Sequence, residues 1–262
     1  MDKQKDYITV INNEENLGQF RNANSVLDSI ESEFIMFLHD DDKIGSEHLK
    51  NCLDLIDRDE DIAVVGTGWQ MIDAEEKIIE INKYYGFKHQ IILSDSDFIY
   101  QHIRGLQFPW SGALIRVDKI GKTKFDYYYN HSADTPFLLN IIKGNKTGFI
   151  PDATFSYRLH DEQNSAVKSF KERHNEWIRI FDFYSNYLSE VNDTKENRKT
   201  LKMANTKTSF MNLMDSPDFN YYFKILSDYK YFNIFYLKPL NWLRVIKKFF
   251  KLLFQLPVSA KK

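Results

Sequence analysis

The chain has 262 residues, 43% of them apolar and 27% charged, and carries a net charge of −2. That balance is ordinary for a globular protein, and the length suits one large α/β domain with a smaller helical annex. A single cysteine excludes an internal disulfide, no apolar run approaches the ~18 residues of a membrane span, and the acidic main body argues against nucleic acid as its partner.

Taken in chain order, a polar start without the apolar stretch of a signal peptide leads into Tyr7 to Ile11, which reads as a short strand. Gly18 opens a helix, and Phe20, Ala23, Leu27 and Ile30 recur at helical spacing, so the helix is expected over Gln19 to Ile30. The run Phe34-Ile35-Met36-Phe37-Leu38 ends in His39-Asp40-Asp41-Asp42, and an apolar run bounded by charge predicts a strand buried on both faces, as in a parallel sheet. Ser46 is expected to cap a helix through Ile56 with Leu49, Leu53 and Ile56 on one face and Cys52 in the core. Ile62 to Gly66 is the next buried strand, and the alternation so far predicts βαβ crossovers and a mostly parallel sheet.

Gly68 to Ile72 and Lys77 to Ile81 alternate around Asp73 to Glu76, which predicts a hairpin. Ser94 with Asp97 begins a helix through Arg104. Trp110 to Val117 reads as a strand interrupted by Gly112, Ser132 to Pro136 as a helix start, and Thr147 to Ile150 and Ala153 to Tyr157 as two short strands. Beyond Ser165 the pattern is helical, with Val191 to Lys202 as a polar linker and Leu240 to Leu256 as a final helix. The expected division is 1–165 for the α/β part, 166–236 for a helical extension and 237–262 for a basic tail helix.

Ligands in open α/β sheets bind beyond the carboxyl ends of the strands, which puts Asp40, Asp41 and Asp42 first among the candidates. Three successive carboxylates repel one another unless a hard divalent cation sits among them, and Mn²⁺ or Mg²⁺ held there would take its other ligands from diphosphate and water. His39 reads as a hydrogen-bonded structural residue with a possible ligand role. Asn16-Leu17-Gly18 sets amides at a helix N-terminus where an anion can bind, and Arg21 and Asn24 project from the same helix. Asp134 reads both as an N-cap and as a general base. Arg158 and His160 leave a strand toward a polar turn, or form a lid that offers a cation to a diphosphate. From Lys238 to Lys262 there are seven basic residues and no acid, with apolar residues over much of the helix, so the tail reads as lying on a membrane surface.

Together these pieces resemble the family-2 glycosyltransferases of the type-A nucleotide-sugar-binding fold. The resemblance is carried by Asn16-x-Gly18, the helix with Asn24, Glu33 to Asp42, Ile72-Asp73 with its hairpin, Ser111 to Arg116, Asp134, and Tyr157 to His160 with Ser165. It implies a Rossmann-like sheet with flanking helices, a nucleotide-sugar donor, and a divalent metal on Asp41 with Asp40 beside the ribose or diphosphate and Asp42 in support. It further implies Asp134 as the base for an acceptor hydroxyl, and Asn16, Gly18, Arg21, Asn24, Gly112, Arg158 and His160 as substrate contacts. His39 stands where many members carry Asp, and Ala133 where they carry Glu before the catalytic acid.

Only Met1 to Asp6 precede the Tyr7 strand, so the family's first strand-helix-strand unit is expected to be missing and the type-A fold incomplete. A sheet edge open at Tyr7 to Ile11 would invite an oligomer or a partner chain, and the isolated chain is expected to bind nucleotide sugar weakly. The resulting expectation is an inverting, metal-dependent glycosyltransferase at the cytoplasmic membrane face. It would act on a glycan or lipid-linked acceptor in surface polysaccharide synthesis. The alternative is a catalytically silent partner or membrane-docking subunit; a phosphohydrolase is disfavoured because Lys43-Ile44 follow the cluster without the needed Asp-x-Asp-x-Thr/Val order.

Overall fold

A computed structural model describes residues 8–82, 87–106, 108–159, 170–216, 218–227, 232–233 and 236–253. Helix α1 (Gln19–Leu27) leads to strands β1 (Phe34–Met36) and β2 (Lys43–Ile44), helix α2 (His48–Ile56), and the long strand β3 (Ile62–Ile72). Then come β4 (Ile78–Asn82), β5 (Ile91–Ser94), α3 (Asp95–Ile103), β6 (Leu114–Arg116) and the short α4 (Val117–Ile120). A 3₁₀ segment (Tyr127–Ser132) precedes α5 (Asp134–Ile142) and β7 (Lys146–Arg158). Four helices end the chain: α6 (Phe170–Val191), α7 (Lys195–Asp215), α8 (Phe219–Ser227) and α9 (Pro239–Leu253).

The expected α/β class is present, but the strand pairing differs from a mostly parallel sheet. The order is β1-β6-β3-β7-β2, with β4 on β3 and β5 on β7. Among the named strands only β3 and β7 pair in parallel, with a single parallel bridge from Phe37 to Ser111 besides; β6 runs antiparallel to both β1 and β3. Thus β1 and β3 point the same way but are separated by a strand from 50 residues downstream, which hydrophobic periodicity does not report. β1 is also shorter than expected and only half-buried, because it lies at the end of the strand order with one open edge.

The sheet separates two apolar clusters. Ile115 and Phe149 join α1, α3, α5 and α6 on one face, while Leu114 and Ile150 join α2 on the other. Helix α6 adds Ile180, Phe181, Tyr184, Tyr187 and Leu188 to the first cluster, so the core continues across the 165/166 boundary.

Several elements form where their patterns place them. The β3–β4 hairpin closes over Asp73 to Glu76, with Asp73 N–H donating to Lys77 O at 3.0 Å. Ser94 caps α3, its Oγ accepting the Asp97 N–H at 3.1 Å. Cys52 is fully buried, and burial pushes its thiol up to about 12, so it is an inert core residue.

Other expectations are corrected. Residues 8–11 form no strand and are exposed, since none of the described strands pairs with them; Tyr7 lies outside the described residues. Helix α1 ends at Leu27, three residues short of Ile30. α2 starts at His48 rather than after a Ser46 cap, and it buries His48, Cys52, Leu55 and Ile56 while Leu49 is exposed. Thr147 to Tyr157 is one strand rather than two, its break absorbed as register shifts against Thr67, Gly68 and Trp69. Lys195 to Lys202 belong to α7, capped by Thr194 Oγ1 accepting the Asn197 N–H at 3.1 Å, which leaves 192–194 as the linker.

Candidate active site

β1 delivers its acidic tip to one wall of an open cleft of about 1030 Å³. His39, Asp40 and Asp41 line it, with Ser111 and Trp110 beside them, Asp134 and Thr135 from α5, and Trp69 and Tyr157 from β3 and β7. Asp40 and Asp134 therefore share one cavity although 94 residues separate them in sequence.

Asp42 is buried beneath this wall and acts as its anchor. Its Oδ2 accepts from Ser111 Oγ at 2.8 Å, its Oδ1 accepts from the Arg158 N–H at 3.2 Å, and the His39 Nδ1 lies 3.3 Å from Oδ2. Burial disfavours the charged form of His39, but the hydrogen bond and charge of Asp42, with Asp41 and Asp134 beyond, outweigh it and hold the imidazole pKa above its ordinary value.

His39, Asp41 and Asp42 each offer a ligand atom, and these lie within 4.8 Å of one another. His39 Nε2 is moreover buried without a hydrogen-bond partner. Two carboxylates with one imidazole fit a divalent cation of the Mn²⁺ type, which accepts both donor classes, better than Mg²⁺, which prefers oxygen alone. The group that could hold the expected cation thus includes His39, read from sequence as structural first.

The other expected site residues fall into two groups. Asp134 lines the cleft as the first residue of α5, with Ala133 in the capping position and its Oδ1 accepting the Thr135 N–H at 2.8 Å. Asn16, Gly18, Arg21 and Asn24 lie off the cleft wall. Asn16 Oδ1 accepts the Gly18 N–H at 2.9 Å, and Gly18 caps α1 at a φ of 70°. Arg21 stacks on Tyr127 with 5.3 Å to the ring centre. Asn24 is locked by three bonds of 2.9 Å: to Phe125 O, from Phe125 N–H, and to Tyr127 Oη. α1 faces the cleft instead through Gln19, Asn22, Ala23 and Val26, spaced i, i+3, i+4 and i+7. That spacing was in the sequence, but its polar members masked it as solvent-facing.

Arg158 is turned back onto the protein. Its Nε donates to Asp41 O at 2.9 Å, and one terminal nitrogen donates to Asp73 O at 2.9 Å and Ala74 O at 3.2 Å, so the guanidinium staples the hairpin turn to the acidic tip. His160 lies outside the described residues.

Gly112 is a packing glycine. It has a φ of 84°, its N–H donates to Phe37 O at 2.7 Å, and a Cβ there would lie 2.5 Å from the Phe155 ring. His48 supports it from below. Its Nε2 donates to Gly112 O at 2.8 Å, since a carbonyl only accepts, and its Nδ1 therefore accepts from Thr154 Oγ1 at 2.8 Å. Gly112→Ala is expected to destabilise the fold by about 3 kcal/mol through left-handed strain and overpacking. Urea denaturation checks this, and an unchanged midpoint would show that the loop can shift.

His102, a cleft residue absent from the sequence reading, joins α3 to α6. Its Nδ1–H donates to Leu106 O at 2.9 Å, and its Nε2 accepts from Tyr184 Oη at 2.9 Å. Burial pushes its pKa down from 6.5 to about 4 despite the Leu106 bond. The folded state thus binds this proton less readily than the unfolded one, so stability is full above pH 6.5 and is lost as pH falls toward 4. The loss should be about 2 kcal/mol once the ring edge that meets cleft water is allowed for. Denaturation at a series of pH values in the wild-type chain and in His102→Gln reads it: the slope in that window should shrink in the variant, leaving the smaller share of His48, whose pKa burial also lowers.

The sequence model of the family described as Glycosyl transferase family 2 matches residues 2–112. The crystal structure of S. aureus TarS 1-349 is similar over 90% of this chain at 14% identity and a TM-score of 0.48, and the chain covers 60% of that structure's length. No curated protein sequence matches the chain. The matched segment, 2–112, is the part of the chain that carries the acidic tip of β1.

Proposed function

We propose that this chain transfers a sugar, with inversion, from a nucleotide-sugar donor to a hydroxyl of a glycan or lipid-linked acceptor, in surface polysaccharide synthesis at the inner membrane face. The observation that carries the reading is the shared cleft: the carboxylates of Asp40 and Asp41 stand on one wall and that of Asp134 on another.

Asp134 accepts the proton of the acceptor hydroxyl as its oxygen attacks the anomeric carbon from the face opposite the departing nucleoside diphosphate. The bond to the diphosphate breaks as the new glycosidic bond forms, which inverts the anomeric centre. His39 and Asp41, with Asp42 behind them, would hold a divalent cation, which when bound would supply countercharge to the diphosphate. Asp42 and Ser111 hold the wall still, and Arg158 fixes the backbone of Asp41 by its carbonyl.

Release of nucleoside diphosphate from a panel of UDP-, GDP- and dTDP-sugars, with Mn²⁺ and then with chelator, tests the reading. Turnover that needs the metal supports it. Absence of turnover and of donor binding by calorimetry across the panel would assign the chain to the silent-partner alternative.

A further inference from the structure

The last described helix has two apolar faces, one packed against α7 and α8 and the other partly exposed. On the inner face Val245, Phe249 and Leu252 pack against Phe210, Leu213 and Tyr222 of α7 and α8. On the outer face Leu243, Ile246 and Phe250 are 56%, 50% and 48% exposed, at the i, i+3, i+7 spacing of one helical stripe. Phe223 of α8, also exposed, widens the stripe: its ring centre is 6.0 Å from that of Phe249, which is 5.4 Å from that of Phe250.

Beside the apolar stripe runs a basic one. Arg244, Lys247 and Lys251 recur at the same spacing and are exposed. α9 contains no Asp or Glu, and Lys238 before it and Lys224 on α8 have the same sign. The acid nearest in sequence, Asp228, lies outside the described residues; Asp215 and Asp218 sit at the α7–α8 junction, where Asp218 Oδ1 accepts the Tyr221 N–H at 3.0 Å. Among the described residues no helix is long and apolar enough to cross a membrane.

We propose that Phe223, Leu243, Ile246 and Phe250, flanked by Arg244, Lys247 and Lys251, form a docking surface for an anionic lipid bilayer. A strip of apolar side chains with cations along its border, on a helix that itself carries no acid, matches a lipid interface. The apolar groups enter the acyl boundary while the long basic stems reach back to the phosphates. A protein groove would have to be acidic along one rim only; a bilayer of anionic lipid offers that charge everywhere, worth a similar increment for each basic residue. Because α8 and α7 hold the inner face, the helix lies flat on the lipid without leaving its own core. The proposal rests on the inner-face reading above and identifies the surface that would do the docking.

The test is co-sedimentation of the full chain with phosphatidylglycerol vesicles and with phosphatidylcholine vesicles, without nucleotide sugar, so that it fails independently of the donor site. Binding to the anionic vesicles alone, weakened by salt, is expected. Lys247→Gln with Lys251→Gln should weaken it about thirtyfold, from the loss of two basic residues at the usual lipid attraction. Leu243→Glu with Phe250→Glu should remove it, while donor hydrolysis stays unchanged. The lysine variant is altered only at solvated positions and decides the matter should the apolar variant misfold. Equal binding to both vesicles, binding to neither, or undiminished binding by the lysine variant overturns the proposal. A concentration-dependent dimer lost in Leu243→Glu, without vesicle binding, would overturn it too and give the face to a second copy of the chain.

Discussion

Asp134→Asn is expected to lower the turnover of sugar transfer by about 10²–10⁴-fold, the usual contribution of a positioned general base, while donor binding measured by calorimetry stays as in the wild type. Asn keeps the size of the side chain and its bond from the Thr135 N–H, so the start of α5 should be undisturbed. Asp41→Ala should show the opposite pattern. Donor binding should lose its dependence on the divalent cation, because Asp41 is the ligand carboxylate that lines the cleft while Asp42 is buried behind it. The two variants together separate proton transfer from donor capture. Turnover within a few-fold of wild type in Asp134→Asn would move the base role to His131, which lines the same cleft.

Asp42→Ala should instead appear first as lost stability, by about 3 kcal/mol. The buried carboxylate receives Ser111 Oγ and the Arg158 N–H and faces the His39 ring, and its removal leaves all three without that acceptor. Those three come from a loop, the end of β7 and the tip of β1, so the effect should extend to activity: the cation site loses a ligand and the wall its anchor. Urea denaturation followed by circular dichroism measures the first effect and Mn²⁺ titration the second. A chain that loses cation affinity with no change in its denaturation midpoint would show Asp42 to be a ligand and not an anchor.

The acidic tip was legible in the sequence because an apolar run and the charges that end it are adjacent. The Ser94 cap, the Asp73 to Glu76 turn and the burial of Cys52 were legible for the same reason, each being set within a few residues. Asn24 was not. It reads as a crevice residue on a helix face, yet it spends its amide on Phe125 and Tyr127, about a hundred residues away. Arg158 also reads as a cation for a diphosphate, and its guanidinium instead closes on carbonyls of Asp41 and Asp73. A polar side chain takes whichever partner the fold brings within 3 Å, and local sequence does not say which that will be.

By itself, then, the sequence determined the α/β class, the strand that carries the carboxylates, and the family resemblance through which Asp134 was chosen. Those follow from hydrophobic period, from chain direction and from residues in a recognisable order. Only the tertiary structure decided that β6 enters between β1 and β3, that His39 lies with Asp41 and Asp42, and that α1 meets the cleft through Gln19, Asn22 and Val26. The physical reason is range: periodicity assigns each residue a face, while strand pairing, buried hydrogen bonds and the mouth of a cleft depend on which distant segment packs against that face.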